Sequence, residues 1–149
     1  MKAETTTFLS HQEIFDRAAM HLLQQGRAGL LQRGGGAYRG YAGGCPVGNL
    51  IQPRDYRTSI EGVPVRFLTR PPNEIPAYMD PGVAALKKAL LRVHINVYDP
   101  TTIELLSCLQ NVHDVFGVWE WQERLNVIAR QFGLRGSASC GVGNGRRSA

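Results

Sequence analysis

Apolar residues recur at helical spacing in four stretches of this 149-residue chain. Ile14, Ala18 and Leu22 form one stripe, with Phe15, Ala19 and Leu23 beside it. Ser10 and Glu13 precede that stripe as a capping box, so a first helix is predicted to run to about Gln25 and stop at Gly26. Asp80-Pro81 and Asp99-Pro100 each pair a capping acceptor with a proline at the first helical position. They predict helices over about 81–94 and 100–115. Trp121, Leu125, Ile128 and Phe132 are spaced by four, three and four, which predicts a last helix from Val118 to Phe132. Gly133 followed by Leu134 reads as its glycine C-cap with a hydrophobic contact. Trp119 and Trp121 are two positions apart, so only one of them faces the core fully. The other is expected to be half exposed, at a partner surface or in a corner of the core.

Between these stretches the pattern breaks. Pro64, Pro71, Pro72 and Pro76 exclude a continuous helix over residues 60–79. Val63, Val65 and Phe67 alternate and suit one edge strand, despite Pro64. Cys45 is placed to cap a short helix from Pro46 to about Gln52, ended by Pro53, with a proline-led turn through Tyr56. Ala37 to Tyr41 suits a short extended piece or hairpin arm. The expected fold is mostly α: a small compact helical domain of about four longer helices plus a short one. It has a long Gly/Pro-rich irregular middle and at most one short β hairpin. Residues 1–9 are expected as a flexible arm, 10–134 as one globular domain, and 135–149 as a disordered tail without apolar pattern.

Composition narrows the function classes. No apolar run approaches the roughly 18–20 residues that span a bilayer, and the polar N-terminus does not read as a signal peptide. The expectation is a cytoplasmic protein with no membrane partner. Cys45, Cys108 and Cys140 are odd in number and far apart, with no C-x-x-C, which argues against a disulfide framework. His11, His21, His94 and His113 lack metal-ligand spacing with them, so no metal and no cofactor is expected. The net charge is +5, and it is polarised. Residues 26–71 hold seven arginines against Asp55 and Glu61, a net of +5. Residues 96–123 hold Asp99, Glu104, Asp114, Glu120 and Glu123 with no Lys or Arg, a net of −5. That acidic stretch argues against a broad nucleic-acid face.

The richest segment chemically is Gln32 to Ile51, with seven glycines around Cys45-Pro46 and Arg33, Arg39, Tyr38 and Tyr41 ahead of it. Glycines let a ligand approach the main chain. Helix N-termini attract anions and lower the pKa of a cysteine placed there. Two chemistries follow. In the first, Arg33, Arg39 and Arg57 neutralise an anionic, nucleotide-like ligand, Tyr38 and Tyr41 stack on it, Gly44, Cys45 and Gly48 offer backbone N–H groups, and His113 donates a hydrogen bond. The segment is neither a Walker A loop nor a dinucleotide fingerprint, because no Gly-Lys-Ser/Thr closes it and no βαβ unit surrounds it. In the second, Cys45 is the nucleophile of a hydrolase or transferase, with His113 as base and Asp114 beside it. Adjacent helical residues point about 100° apart, so Asp114 is expected to orient His113 poorly. The plainer alternative makes Cys45 a small buried residue and His113 a packing residue.

Tyr38-Arg39-Gly40, Cys45-x-x-Gly48-x-Leu50-Ile51, Leu109-Gln110-x-x-His113-Asp114, Trp121 and Phe132-Gly133-Leu134 together resemble a family of small uncharacterised proteins encoded by tailed bacteriophages and prophages. The resemblance covers roughly residues 12–134. Pro46-Val47 stands where that family reads Ala-Ile, and the 60–80 segment is peculiar to this chain. The resemblance implies a phage or prophage origin, a bacterial host cell, and the meeting in space of Tyr38, Arg39, Cys45, Gly48, His113 and Asp114. It carries no assigned activity. The leading expectation is therefore a non-enzymatic accessory protein. It would bind an anionic ligand or an acidic host protein surface and, by analogy, counteract host defence. The alternatives are the cysteine enzyme, and an inhibitory module whose acidic, tryptophan-bearing C-terminal half is the contact surface.

Overall fold

A computed structural model describes residues 7–25 and 45–136. Within them the protein is helical, with no strand. Five α-helices are present: α1 (His11–Gln25), α2 (Pro46–Leu50), α3 (Asp80–Arg92), α4 (Pro100–Val115) and α5 (Trp121–Gln131). The irregular middle is a run of short 3-10 turns at Pro53–Asp55, Thr58–Ile60, Val65–Thr69, Pro72–Glu74 and Ala77–Met79.

The predicted caps of α1 and α4 are realised locally, and that of α3 is not. The Ser10–Glu13 capping box closes in both directions, Ser10 N to Glu13 Oε1 at 2.8 Å and Glu13 N to Ser10 Oγ at 3.0 Å. Asp99 caps α4 by accepting from Thr101 N at 3.2 Å. Its carboxylate also accepts the Thr102 hydroxyl at 2.8 Å and contacts His11 Nε2 at 3.3 Å, which ties the start of α4 to the start of α1. Asp80 does not cap α3. The turn at Ala77–Met79 runs straight into the helix, so Asp80 already has helical angles and lies in the first turn.

The edge strand expected at Val63–Phe67 is absent. Pro64 fixes its own φ at −67° and its carbonyl accepts Phe67 N at 3.0 Å, which winds Val65–Thr69 into a 3-10 turn. Val63, Val65, Phe67 and Leu68 are nonetheless all buried. The last helix begins at Trp121, because Val118–Glu120 forms a 3-10 turn. The hairpin expected at Ala37–Tyr41 lies outside the described residues.

The described residues beside the two ends of this region are tied to the helices. Leu9 N donates to His94 O at 2.7 Å, and Arg135 is held through its backbone by the Gln12 amide, at 2.9 and 3.3 Å.

α1, α2, α4 and α5 pack on one another, while α3 packs chiefly on the turns of the irregular middle. The Val65–Thr69 turn joins the two halves by lying along α4. One core runs through both, from Ile14, Phe15 and Leu22 through Leu105, Leu106, Leu109 and Trp121 to Ile60, Leu86 and Leu90. No described helix is long and apolar enough to cross a membrane.

Candidate functional site

Two regions of the described surface carry chemistry. The first is the cluster the sequence singled out. Cys45 is 1 % exposed and caps α2 through its sulfur, which accepts Gly48 N at 3.3 Å. The Gly48 N–H, one of those expected to face an anion, is thus turned onto the thiol. α2 is only five residues long, and Pro46, Val47, Gly48 and Leu50 are buried. Burial pushes the Cys45 thiol up to about 12, outweighing the hydrogen bonds from Gly48 and Val47, and the nearby Asp114 carboxylate pushes the same way. The helix-N-terminus argument expects the opposite sign. The thiol keeps its proton at neutral pH, which removes the thiolate on which the hydrolase chemistry depends.

The Gln110 side chain of α4 hydrogen-bonds this thiol, while Asp114 of the same helix acts on it only through its charge. His113 lies within the core, its side chain fully buried, and pairs through Nδ1 with Asp114 Oδ1 at 2.8 Å. That corrects the expectation that Asp114 orients it poorly. The His113 ring lies 6.1 Å from the Trp121 ring, and the indole Nε1 donates to Phe116 O at 3.1 Å. Cys45, Gly48, His113 and Asp114 therefore belong to one neighbourhood, where α2 meets the end of α4. A groove of about 450 Å³ opens beside it, lined by Val63, Arg66, Glu104, Cys108, Asn111 and Asp114 among others. Arg57 turns its guanidinium onto the carbonyls of Arg54 and Tyr56, at 2.9 and 2.8 Å. Arg33, Tyr38, Arg39, Tyr41 and Gly44 lie outside the described residues.

The second region is a groove of about 700 Å³ between α3 and residues 67–75. Its floor is apolar, with Phe67, Leu68, Ile75, Val83 and Leu91. Its rim carries Arg70, Lys87, Lys88 and Arg92 against the single carboxylate of Asp80. Arg70 lies over the Phe67 ring at 4.2 Å, which holds a guanidinium at the edge of the floor. Arg92 is joined to Asp55 at 2.9 Å, and Lys87 lies 5.7 Å from the Tyr98 ring. Sequence reading missed this groove, because Arg70 and Lys88 stand far apart along the chain and meet only through the packing of α3. One signal was available. Ala84, Lys87, Lys88 and Leu91 fall at helical spacing beside the buried stripe of Val83, Leu86 and Leu90, giving α3 a second, mixed face.

Among the described residues no group of three His, Cys, Asp or Glu side chains could hold a metal ion. No family model matches the chain, and neither a curated protein nor a solved structure does.

Proposed function

We propose that this is a non-catalytic binding protein whose groove between α3 and residues 67–75 takes an acidic, amphipathic segment of a partner protein. The observation that carries the reading is the combination of an apolar floor with four cations on the rim. An apolar floor rewards leucine or aromatic side chains by removing their surface from water. The rim attracts carboxylates and repels basic segments, which supplies selectivity and a fast encounter. A nucleotide fits this groove less well than a peptide, because its phosphates would face a largely hydrophobic floor. Such a protein works by occupying its partner, which suits the phage or prophage origin that the sequence resemblance implies.

The test is fluorescence anisotropy with a labelled helical peptide bearing Leu and Phe at i and i+4 and glutamates on the opposite face. ATP and a charge-reversed peptide serve as comparisons. Micromolar binding of the acidic peptide is expected, weakened at least about tenfold by the double variant Arg70→Glu/Lys88→Glu and by rising salt. Binding that ignores both the variant and the sign of the peptide charge, or binding of ATP alone, would overturn the proposal.

A further inference from the structure

The turn between α4 and α5 presents the kind of segment such a groove takes. Trp119 is 86 % exposed, Val115 65 % and Val118 38 %. The benzo edge of the Trp119 indole lies against the backbone of Gly117, where a Cβ would meet ring atoms at 2.5–2.7 Å. The ring therefore packs on its own turn while its outer face stays open. Asp114, Glu120 and Glu123 flank these apolar residues along the chain, within the acidic stretch that has no Lys or Arg from residue 96 to 123. The nearest cation beyond it, Arg124, is laid over the Phe116 ring at 4.3 Å. The result is an apolar tip flanked by carboxylates. On the same chain, the groove against α3 is a basic rim around an apolar floor.

We infer that the occupant of the groove is the Val115–Glu123 corner of a second copy of this chain. This rests on the proposed reading of the groove and names its partner. Charge complementarity argues for it, because the corner brings Glu120 and Glu123 where the groove offers Arg70 and Lys88. Trp119 supplies a large, stiff side chain of the kind that anchors protein interfaces. The two surfaces are different parts of the chain, so the contact is heterologous. One copy's groove is filled while its own corner stays open for the next, and assembly proceeds head to tail. A partner protein carrying a similar acidic segment would compete with the second copy for the groove.

Head-to-tail assembly has a test that a two-fold dimer does not share. Trp119→Ser removes the tip but keeps the groove. Arg70→Glu/Lys88→Glu spoils the groove but keeps the tip. All three positions are exposed, and a 1:1 complex would itself report that both variants are folded. Analytical ultracentrifugation of the parent is expected to show mass rising with concentration and falling with salt. Each variant alone is expected to stay monomeric, and their mixture to form a 1:1 complex that grows no further. A parent that stays monomeric up to about 1 mM, a regime of contacts too weak to matter, would overturn the inference. Assembly that survives Arg70→Glu/Lys88→Glu, or a mixture that stays monomeric, would do the same. The acidic peptide separates the two levels. If Trp119→Ser binds the peptide while the parent does not self-associate, the groove reading stands and only the second copy is ruled out. If Trp119→Ser fails to bind the peptide, the groove reading falls first.

Discussion

At the scale of single residues, competing effects decide Cys45. Its capping position is legible in Cys45-Pro46, and the sulfur does accept an N–H of α2. Its burial is not legible, because nothing local tells which core it enters. A full loss of hydration raises a thiol's pKa by more than one or two N–H groups and a partial helix charge lower it. The balance therefore comes out at about 12. Cys108 is raised too, by burial first and then by Glu104, but it is only partly buried and lines the groove beside α4. Alkylation by iodoacetamide at pH 7.5, mapped by mass spectrometry, is thus expected to label Cys108 well before Cys45. Faster labelling of Cys45 would reinstate the thiolate. The His113–Asp114 pair shows a different limit of sequence reasoning. Their Cβ vectors diverge on the helix, yet Nδ1 and Oδ1 each sit two bonds beyond Cβ, and rotamers turned toward each other bring them to 2.8 Å.

At the scale of elements, the ends of helices separate what was legible from what was not. α5 ends in a Schellman motif, with Leu134 N to Ala129 O at 2.7 Å and Gly133 N to Arg130 O at 3.3 Å, and Gly133 at φ +68°. Glycine announces that motif. α3 ends in the same way, with Ile95 N to Leu90 O at 3.0 Å and His94 N to Leu91 O at 3.0 Å, but the left-handed residue is His94 at φ +67°. A histidine there gives no signal, which is why α3 was expected to reach residue 94. Leu9 N bonds the His94 carbonyl, so this strained turn also anchors the chain ahead of α1. The start of α4 carries a pH dependence. The Thr102 hydroxyl, the Thr101 N–H and His11 hold the Asp99 carboxyl below its ordinary range. A carboxyl whose folded pKa is depressed stabilises the fold above the unfolded value of about 3.9, and this is lost as pH falls through the lower folded value. Asp99→Ala should therefore cost about 0.5–1 kcal/mol at pH 7, the lower half of the N-cap range, because the carboxylate is partly exposed. In urea melts the gap between parent and variant should narrow below about pH 4. A gap that does not depend on pH would mean that the charge contributes nothing.

At the scale of the whole molecule, the helical class was legible because amphipathic periodicity and caps are local. The arrangement was not, because α3 is held by an irregular segment whose prolines report only what it cannot be. That segment supplies Ile60, Val63, Val65, Phe67 and Leu68 to the core, and it forms one wall of the basic groove. The contact that fixes α3 against it passes through Gly82. A Cβ there would lie 2.1 Å from Ser59 O and 2.8 Å from Val63 Cγ2. The first of these is a backbone oxygen in the turn beneath α3, so it cannot swing away as a long side chain would. Overpacking of this kind costs about 1–3 kcal/mol, and a backbone obstacle puts Gly82→Ala in the upper half of that range. For a chain of this length that corresponds to a Tm lower by roughly 4–12 °C. Alanine favours the helix itself by up to about 1 kcal/mol over glycine, so any loss of stability measures the contact and not the helix. Displacing α3 also separates Lys88 from Arg70, and the acidic peptide should bind more weakly to Gly82→Ala while far-ultraviolet circular dichroism stays unchanged. Gln131→Ala, at an exposed position of α5 outside the groove lining, is the control and should alter neither. A Gly82→Ala variant as stable as the parent would mean that α3 is free to slide on the turns beneath it, and the groove would then have no fixed wall.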